Sequence, residues 1–446
     1  MKLSEVFRKL VWSRNLLKVS AIPAIALFFV QLSFAQTLSS LDRGRAKDML
    51  NAVKSEIKGK YYDPAFHGVD LEARFKAASE ALDKAASMGQ AFGIIAQAVL
   101  ELNDSHTTFF PPSRAARFEY GWRWQMVGDK CFITAIKPKS DAEKQGLKVG
   151  DEVIEVEGFR PSRKEMWKID YYYNALSPRT GLRLKVKSPD AEPRELNVAA
   201  KVTQLRASLD LAALITELQQ GTARKIEIGY NKVGSTFVWK LPTFSVETTV
   251  ITDFMKGRLR GSSNLILDLR GNGGGSVETL SELAGFFVDK DTKIADLKGR
   301  KKMDPQMAKT KGKDIFNGQL IVLVDADSAS ASEAFARFVQ IQQRGVVIGD
   351  QSMGAVMQSQ IVPMELGAYS TIPYGMSMTN ADVIMGDGKS LEHVGVTPQL
   401  VLIPTAADLA AGRDPVLAAA LELFGEKVTP EQAGKLLPPY RWQDEF

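Results

Sequence analysis

An α/β fold is predicted for this chain, because strand-like and helix-like patterns follow one another along it. The apolar run 265–269 leads through Gly271-Asn272-Gly273-Gly274-Gly275 into a helix-periodic stretch at 277–288. A second run, 319–324, leads through Asp325-Ala326-Asp327-Ser328-Ala329-Ser330 into a helix-like segment at 334–340. Two strand-turn-helix units are therefore expected. Upstream, Met49, Val53 and Ile57 form one helical stripe and Leu71, Phe75 and Leu82 another, which predicts a helical N-terminal region.

The length of 446 residues allows two or three domains, and 45% hydrophobic with 24% charged residues is ordinary globular composition. The net charge of +5 comes largely from Lys2, Arg8, Lys9, Arg14 and Lys18, opposed only by Glu5. Without that segment the balance is near neutral, and a nucleic-acid partner is not expected. The same basic residues precede an apolar run at 19–35 that ends in Ser33-Phe34-Ala35, the layout of a secretory signal peptide cleaved after Ala35. Export to a bacterial periplasm or the exterior follows. Contact with a membrane is then transient, or an anchor if the segment stays uncleaved. The lone Cys131 excludes an intrachain disulfide, and it sits in an apolar strand pattern that suits a core position.

Ser330 falls where the second apolar run turns into its helix. A serine there can present its Oγ beyond the sheet edge, and the N–H groups that follow it can stabilise developing negative charge. Serines in front of a helix are also ordinary N-caps. The three glycines at 273–275 permit close backbone approach. A phosphate-binding loop is the competing reading, but no Gly-Lys-Ser/Thr follows and the spacing is not a dinucleotide fingerprint.

Together, LILDLRGNGGG at 265–275 and VDADSASASEAF at 324–335 resemble the tail-specific, or C-terminal processing, peptidases of the S41 type, and the likeness extends from about residue 41 to about residue 423. The resemblance implies a crotonase- or ClpP-like α/β catalytic domain. It also implies a serine peptidase that needs no cofactor or metal, with Ser330 as nucleophile. Ala331 and either Gly273 or Gly274 would supply the oxyanion hole. Residues 121–202 contain Gly-Leu-Lys-Val-Gly-Asp at 146–151 and are similar to a PDZ domain, a β-rich module that takes a peptide as an added strand. Its carboxylate-binding loop would include Tyr120, Gly121 and Trp122, and for Trp122 and Trp124 simple packing is the competing role.

A serine hydroxyl needs a base at neutral pH. The best-known branch of the family uses a lysine in a Gly-Lys-Gly segment, and here that position holds Ala355, with no lysine from Asp314 to Gly388. The segment Asp104-Ser105-His106-Thr107 resembles instead the histidine segment of the tricorn-type branch. That likeness implies His106 as base, Ser105 as a supporting hydrogen bond, and Glu392, ahead of Gly395-Val396-Thr397-Pro398, as the orienting carboxylate. His393 is an outside candidate for the base, and His67 reads as structural. Three scattered histidines and one cysteine assemble no recognisable zinc motif.

The expected plan is a signal peptide at 1–35, a helical region at 36–115, a PDZ domain at 116–203, a catalytic domain at 204–405 and a helical tail at 406–446. Lysine-rich 290–313 is expected to be a solvated insertion or lid. The function implied is an exported serine endopeptidase acting on protein or peptide substrates. The alternative is an inactive peptidase fold that serves as a PDZ-bearing binding or scaffold protein.

Overall fold

The computed structural model describes residues 38–204, 228–367, 371–438 and 442. The expected signal peptide and its cleavage position lie outside the described residues, as do 205–227 at the expected start of the catalytic domain and parts of the tail.

A six-stranded sheet forms the centre, in the order Leu400–Val401, Val346–Gly349, Gln319–Val324, Asn264–Asp268, Thr236–Lys240, Gly229–Val233. All neighbours are parallel except the last pair. Strands buried on both faces read as continuous apolar runs, and the two-residue period decides what each side chain meets. Leu265, Leu267, Val322 and Val324 face a core that includes Leu280 and Leu283 of helix Val277–Gly285 and Phe335 and Phe338 of helix Ala331–Ile341. Ile266, Ile321 and Leu323 face Leu417 and Leu421 of helix Pro415–Leu423 on the other side. The architecture is mixed α/β.

An antiparallel sheet stands beside this layer. Its long strand Ile372–Met385 pairs with Met357–Leu366, with Thr292–Gly299 and with the short Thr108–Phe110, while Gln306–Ala308 adds to the outside of Thr292–Gly299. The lysine-rich segment is therefore not a solvated insertion: it supplies two strands of this sheet. Ile294, Ala295 and Ala308 are fully buried, whereas Lys293, Lys301, Lys302 and Lys309 point to solvent. A strand with one wet face needs few apolar residues, so a low apolar count is a poor sign of a loop. The segment does border the neighbourhood of the site. A cavity of about 760 Å³ extends from Gly275 past Met307 to Gln358.

Helices Ser40–Lys60, Leu71–Leu82 and Met88–Leu100 precede Thr108–Phe110. Met49, Val53, Ile57, Leu71, Phe75 and Leu82 are buried in a core that also holds Phe109, Tyr374 and Met376. Residues 116–204 form a separate antiparallel unit. Strands Trp122–Val127, Lys130–Ile136, Glu152–Val156, Gly181–Lys187 and Arg194–Ala199 pair in chain order, and Ala116–Glu119 pairs with Lys201–Gln204 to bring the two ends of the unit together.

Candidate active site

Ser330 follows the C-terminal end of the central strand Gln319–Val324 and stands immediately before helix Ala331–Ile341. Its backbone has φ 55° and ψ −116°, a conformation that costs a non-glycine residue about 1–3 kcal/mol and persists only where the surroundings enforce it. The surroundings do so here. The Ser330 N–H donates to the Ala355 carbonyl at 2.8 Å and to Glu333 Oε2 at 3.0 Å. Ser328 Oγ donates to the Leu269 carbonyl at 2.9 Å, and the Asn272 carbonyl accepts from Ala329 N–H at 3.0 Å and Ser332 Oγ at 2.9 Å. The serine turn and the glycine loop are thus tied to each other at several points.

Contact between them is closest at Gly274. Its φ is +96°, and a Cβ at that position would stand 2.7 Å from Ser330 Cβ and 2.9 Å from the Ala329 carbonyl. No side chain fits there. The Gly274 N–H donates to Asn272 Oδ1 at 2.9 Å and is already engaged. By contrast, no acceptor for the N–H of Gly273 or of Ala331 is found among the described residues. Of the two glycines the sequence left as alternatives, Gly273 has the N–H that is open to a ligand.

His106 reaches Ser330 from a distant part of the chain. Its loop lies between helix Met88–Leu100 and strand Thr108–Phe110, which pairs with Gly375–Ser377 of the long antiparallel strand. Asp104 shapes the loop. The Asp104 carboxylate accepts from the N–H of His106 at 3.0 Å and of Thr107 at 2.7 Å, from Thr379 Oγ1 at 2.6 Å and from the buried Tyr61 hydroxyl at 2.7 Å. His106 Nε2 lies 3.3 Å from Ser330 Oγ. On the other side of the ring, Nδ1 lies 2.7 Å from Ser105 Oγ, and Ser105 Oγ donates to Glu392 Oε2 at 2.9 Å.

Counting protons fixes the direction of this chain. Ser105 has one hydroxyl hydrogen and gives it to Glu392, so it must accept from His106, which places the imidazole hydrogen on Nδ1. Nε2 then carries the lone pair and faces the serine. Burial lowers the His106 pKa from its ordinary value, partly opposed by the charge of Asp104, so the ring is neutral near pH 7. Burial raises that of Glu392, while His393 and the hydrogen bonds from Val356 N–H, Ser105 Oγ and Ser105 N–H pull it down. Ser105 N–H and Val356 N–H donate to the Glu392 carboxylate at 2.7 and 2.9 Å.

Glu392 therefore meets the histidine through Ser105. The ring of His393 lies 2.9 Å from the Asn103 carbonyl and is half exposed, away from the serine. His67 is held by Tyr62 and the Leu102 carbonyl at 2.6 Å each. Ala355, where the related lysine would stand, is buried and offers only its backbone. Its carbonyl holds Ser330 N–H, and its N–H donates to Glu333 Oε2 at 2.9 Å.

In the 116–204 unit, the side chains of Tyr120 and Trp122 are buried in the core, their rings 5.3 Å apart, and the Tyr120 hydroxyl bonds the backbone of Tyr173 and Arg179. The Gly121 carbonyl accepts from Lys137 N–H at 2.9 Å. These residues can meet a peptide only through their backbone. Trp122–Val127 is an edge strand that borders a cavity of about 450 Å³, with Asp325 and Asp350 on the opposite wall. Asp104, Asn272 and Glu333 build the site although their sequence context did not single them out. Each acts by accepting several backbone N–H groups or fixing a loop, and such roles leave no mark in residue type or spacing. Among the described residues no three His, Cys, Asp or Glu side chains converge into a metal-holding group.

A neutral imidazole on a serine hydroxyl, with two open N–H groups beside it, is equipped for acyl transfer. Residues 237–402 match the family model of Peptidase family S41. The chain is 25% identical over 408 residues to the chloroplastic C-terminal processing peptidase of Tetradesmus obliquus, covering 86% of this chain and 80% of that one. It is also 25% identical over 329 residues to the carboxy-terminal processing protease CtpB of Bacillus subtilis (strain 168), covering 70% of this chain and 62% of the relative. In fold it is similar to mature CPAF complexed with lactacystin, with a TM-score of 0.62 and 15% identity over 83% of this chain and 96% of that one.

Proposed function

We propose that this chain is a serine-type peptidase of the S41 kind, an exported endopeptidase of the tail-specific type with Ser330 as nucleophile and His106 as base. One observation carries the assignment: the unbroken series from Ser330 Oγ to His106, from His106 to Ser105 and from Ser105 to Glu392. In this reading His106 Nε2 takes the hydroxyl proton as Ser330 Oγ attacks the peptide carbonyl. The imidazolium is stabilised through Ser105 by the Glu392 carboxylate, and the oxyanion is bound by the N–H groups of Gly273 and Ala331. His106 then protonates the departing amine. Water, deprotonated by the same nitrogen, releases the acyl group. No cofactor enters any step.

The missing lysine fits this scheme. A small residue at 355 leaves the approach to Ser330 to the imidazole. Recruitment of an extended peptide beside Trp122–Val127 is supported by the strand's place at the edge of its sheet and by the cavity that it borders. The basic and apolar leader at 1–35 supports export.

A fluorophosphonate probe tests the assignment directly. Labelling is expected in the purified protein and should vanish in Ser330→Ala. His106→Ala should lower kcat by a few orders of magnitude, about 10³-fold or more. A folded protein that takes no label would instead favour a binding or scaffold role, and an unchanged rate in His106→Ala would remove the histidine from the mechanism.

A further inference from the structure

We propose that Glu333 is the positioning residue of the nucleophile: its carboxylate holds the Ser330 turn against the Ser352–Ala355 loop and so aims Ser330 Oγ at His106. The inference rests on the Ser330–His106 assignment and deepens it.

Glu333 occupies the third position of helix Ala331–Ile341, where a carboxylate reaching back to the residue before the helix is ordinary capping. Ordinary caps are exposed and satisfy one or two N–H groups. Glu333 is fully buried and gathers four donors from two chain segments. Oε2 accepts from Ser330 N–H at 3.0 Å and Ala355 N–H at 2.9 Å. Oε1 accepts from Gly354 N–H at 2.7 Å and Ser352 Oγ at 2.5 Å. Ser352 Oγ in turn accepts from Val396 N–H at 2.6 Å, and the Gly354 carbonyl accepts from His393 N–H at 2.7 Å, which extends the clamp to the segment that carries Glu392. One side chain thus links the nucleophile, the loop where a related enzyme would place its lysine, and the strand of chain bearing the orienting acid.

Only the ionised carboxylate accepts from all four at once. A protonated Glu333 makes one oxygen a donor, which faces only N–H groups at Oε2 and is met at Oε1 only if the Ser352 hydroxyl gives up its own donation to accept. The strained backbone of Ser330 needs such a clamp, because nothing in its own φ and ψ keeps it in place. Burial pushes the Glu333 carboxyl up to about 7 against the pull of its hydrogen bonds, which puts its ionisation within the working range of an enzyme. His106 is pushed the other way, below its ordinary value. The acid limb of acylation is therefore set by Glu333: activity rises as pH passes through about 7, where the imidazole is already neutral.

The experiment is the pH dependence of fluorophosphonate acylation in the full chain, compared with Glu333→Gln and Ser352→Ala. Glu333→Gln keeps the shape and removes the charge. Its acylation rate should fall roughly 10- to 100-fold, and its acid limb should move down to that of His106. Ser352→Ala withdraws a donor that favours the ionised form, so its limb should move up. A role confined to folding would change thermal stability and leave the limb where it is. A wild-type rate with an unmoved limb in Glu333→Gln overturns the proposal. If Glu333→Gln does not fold, an unmoved limb in Ser352→Ala overturns it. Should the unaltered protein take no label, the Ser-His assignment fails. Amide exchange at 330, 354 and 355, taken relative to the intrinsic rate at each pH, then decides the rest: protection lost below about pH 7 supports the clamp and unchanged protection rejects it.

Discussion

Ser105 is the residue whose role is hardest to see in isolation, because its hydroxyl is both acceptor and donor. It takes the Nδ1 hydrogen of His106 and passes its own hydrogen to Glu392. Ser105→Ala should leave substrate binding unchanged and lower kcat by roughly 10²- to 10³-fold, less than the loss of a triad base. Ser105→Thr keeps the hydroxyl and should recover most of the rate. Steady-state kinetics with a peptide substrate decides the matter: a shift in KM alone would mean that the relay plays no part in the chemistry. Glu392 was legible as a carboxylate in a familiar place, but its distance from the imidazole was not. That distance depends on Ser105 N–H and Val356 N–H meeting the same carboxylate from two different segments.

Among the elements, the glycine loop and the serine turn behave as one piece. Gly274 stands where any Cβ would collide with Ser330 Cβ and the Ala329 carbonyl, and its φ of +96° disfavours a side chain regardless of space. Gly274→Ala should destabilise the protein by about 1–3 kcal/mol in denaturant unfolding and lower kcat/KM at least about 100-fold, since the turn must shift. Retention of full activity would show that the two loops are not coupled as argued. The apolar runs at 265–269 and 319–324 announced buried strands because both of their faces are covered. The lysine-rich strands at 292–308 did not, because one face is wet and the few buried residues, Ile294, Ala295, Gln306 and Ala308, make no continuous apolar run.

For the whole molecule, the 116–204 unit is clamped to the sheet that carries the nucleophile. Gln125 Nε2 donates to Asp325 Oδ2 at 2.5 Å, Gly128 N–H donates to Asp350 Oδ2 at 2.7 Å, and Arg163 pairs with Asp350 and donates to the Gln351 carbonyl at 2.9 Å. Its ends pair at Ala116 and Gln204, so a short linker can replace it. Deleting residues 117–203 should raise KM for long substrates more than for short ones if the unit recruits peptide. Equal effects on both would count against recruitment. Cleavage of a peptide series of increasing length reads the difference.

From the order of residues alone came the strand-turn-helix units, the serine at their junction, the glycines beside it, and the absence of a lysine where a related enzyme would carry one. The first three are local and follow from periodicity and from which residue types a turn admits, whereas the fourth rests on the resemblance to the peptidase family. Tertiary structure decided which N–H groups remain open, how His106 reaches a serine 224 positions away, and that Glu333 and Asp104 hold the two reacting loops. The physical reason is that a hydrogen bond between distant segments depends on where strand pairing brings them. Thr108–Phe110 joins the antiparallel sheet beside Ser377 only because the helical region packs its apolar faces there.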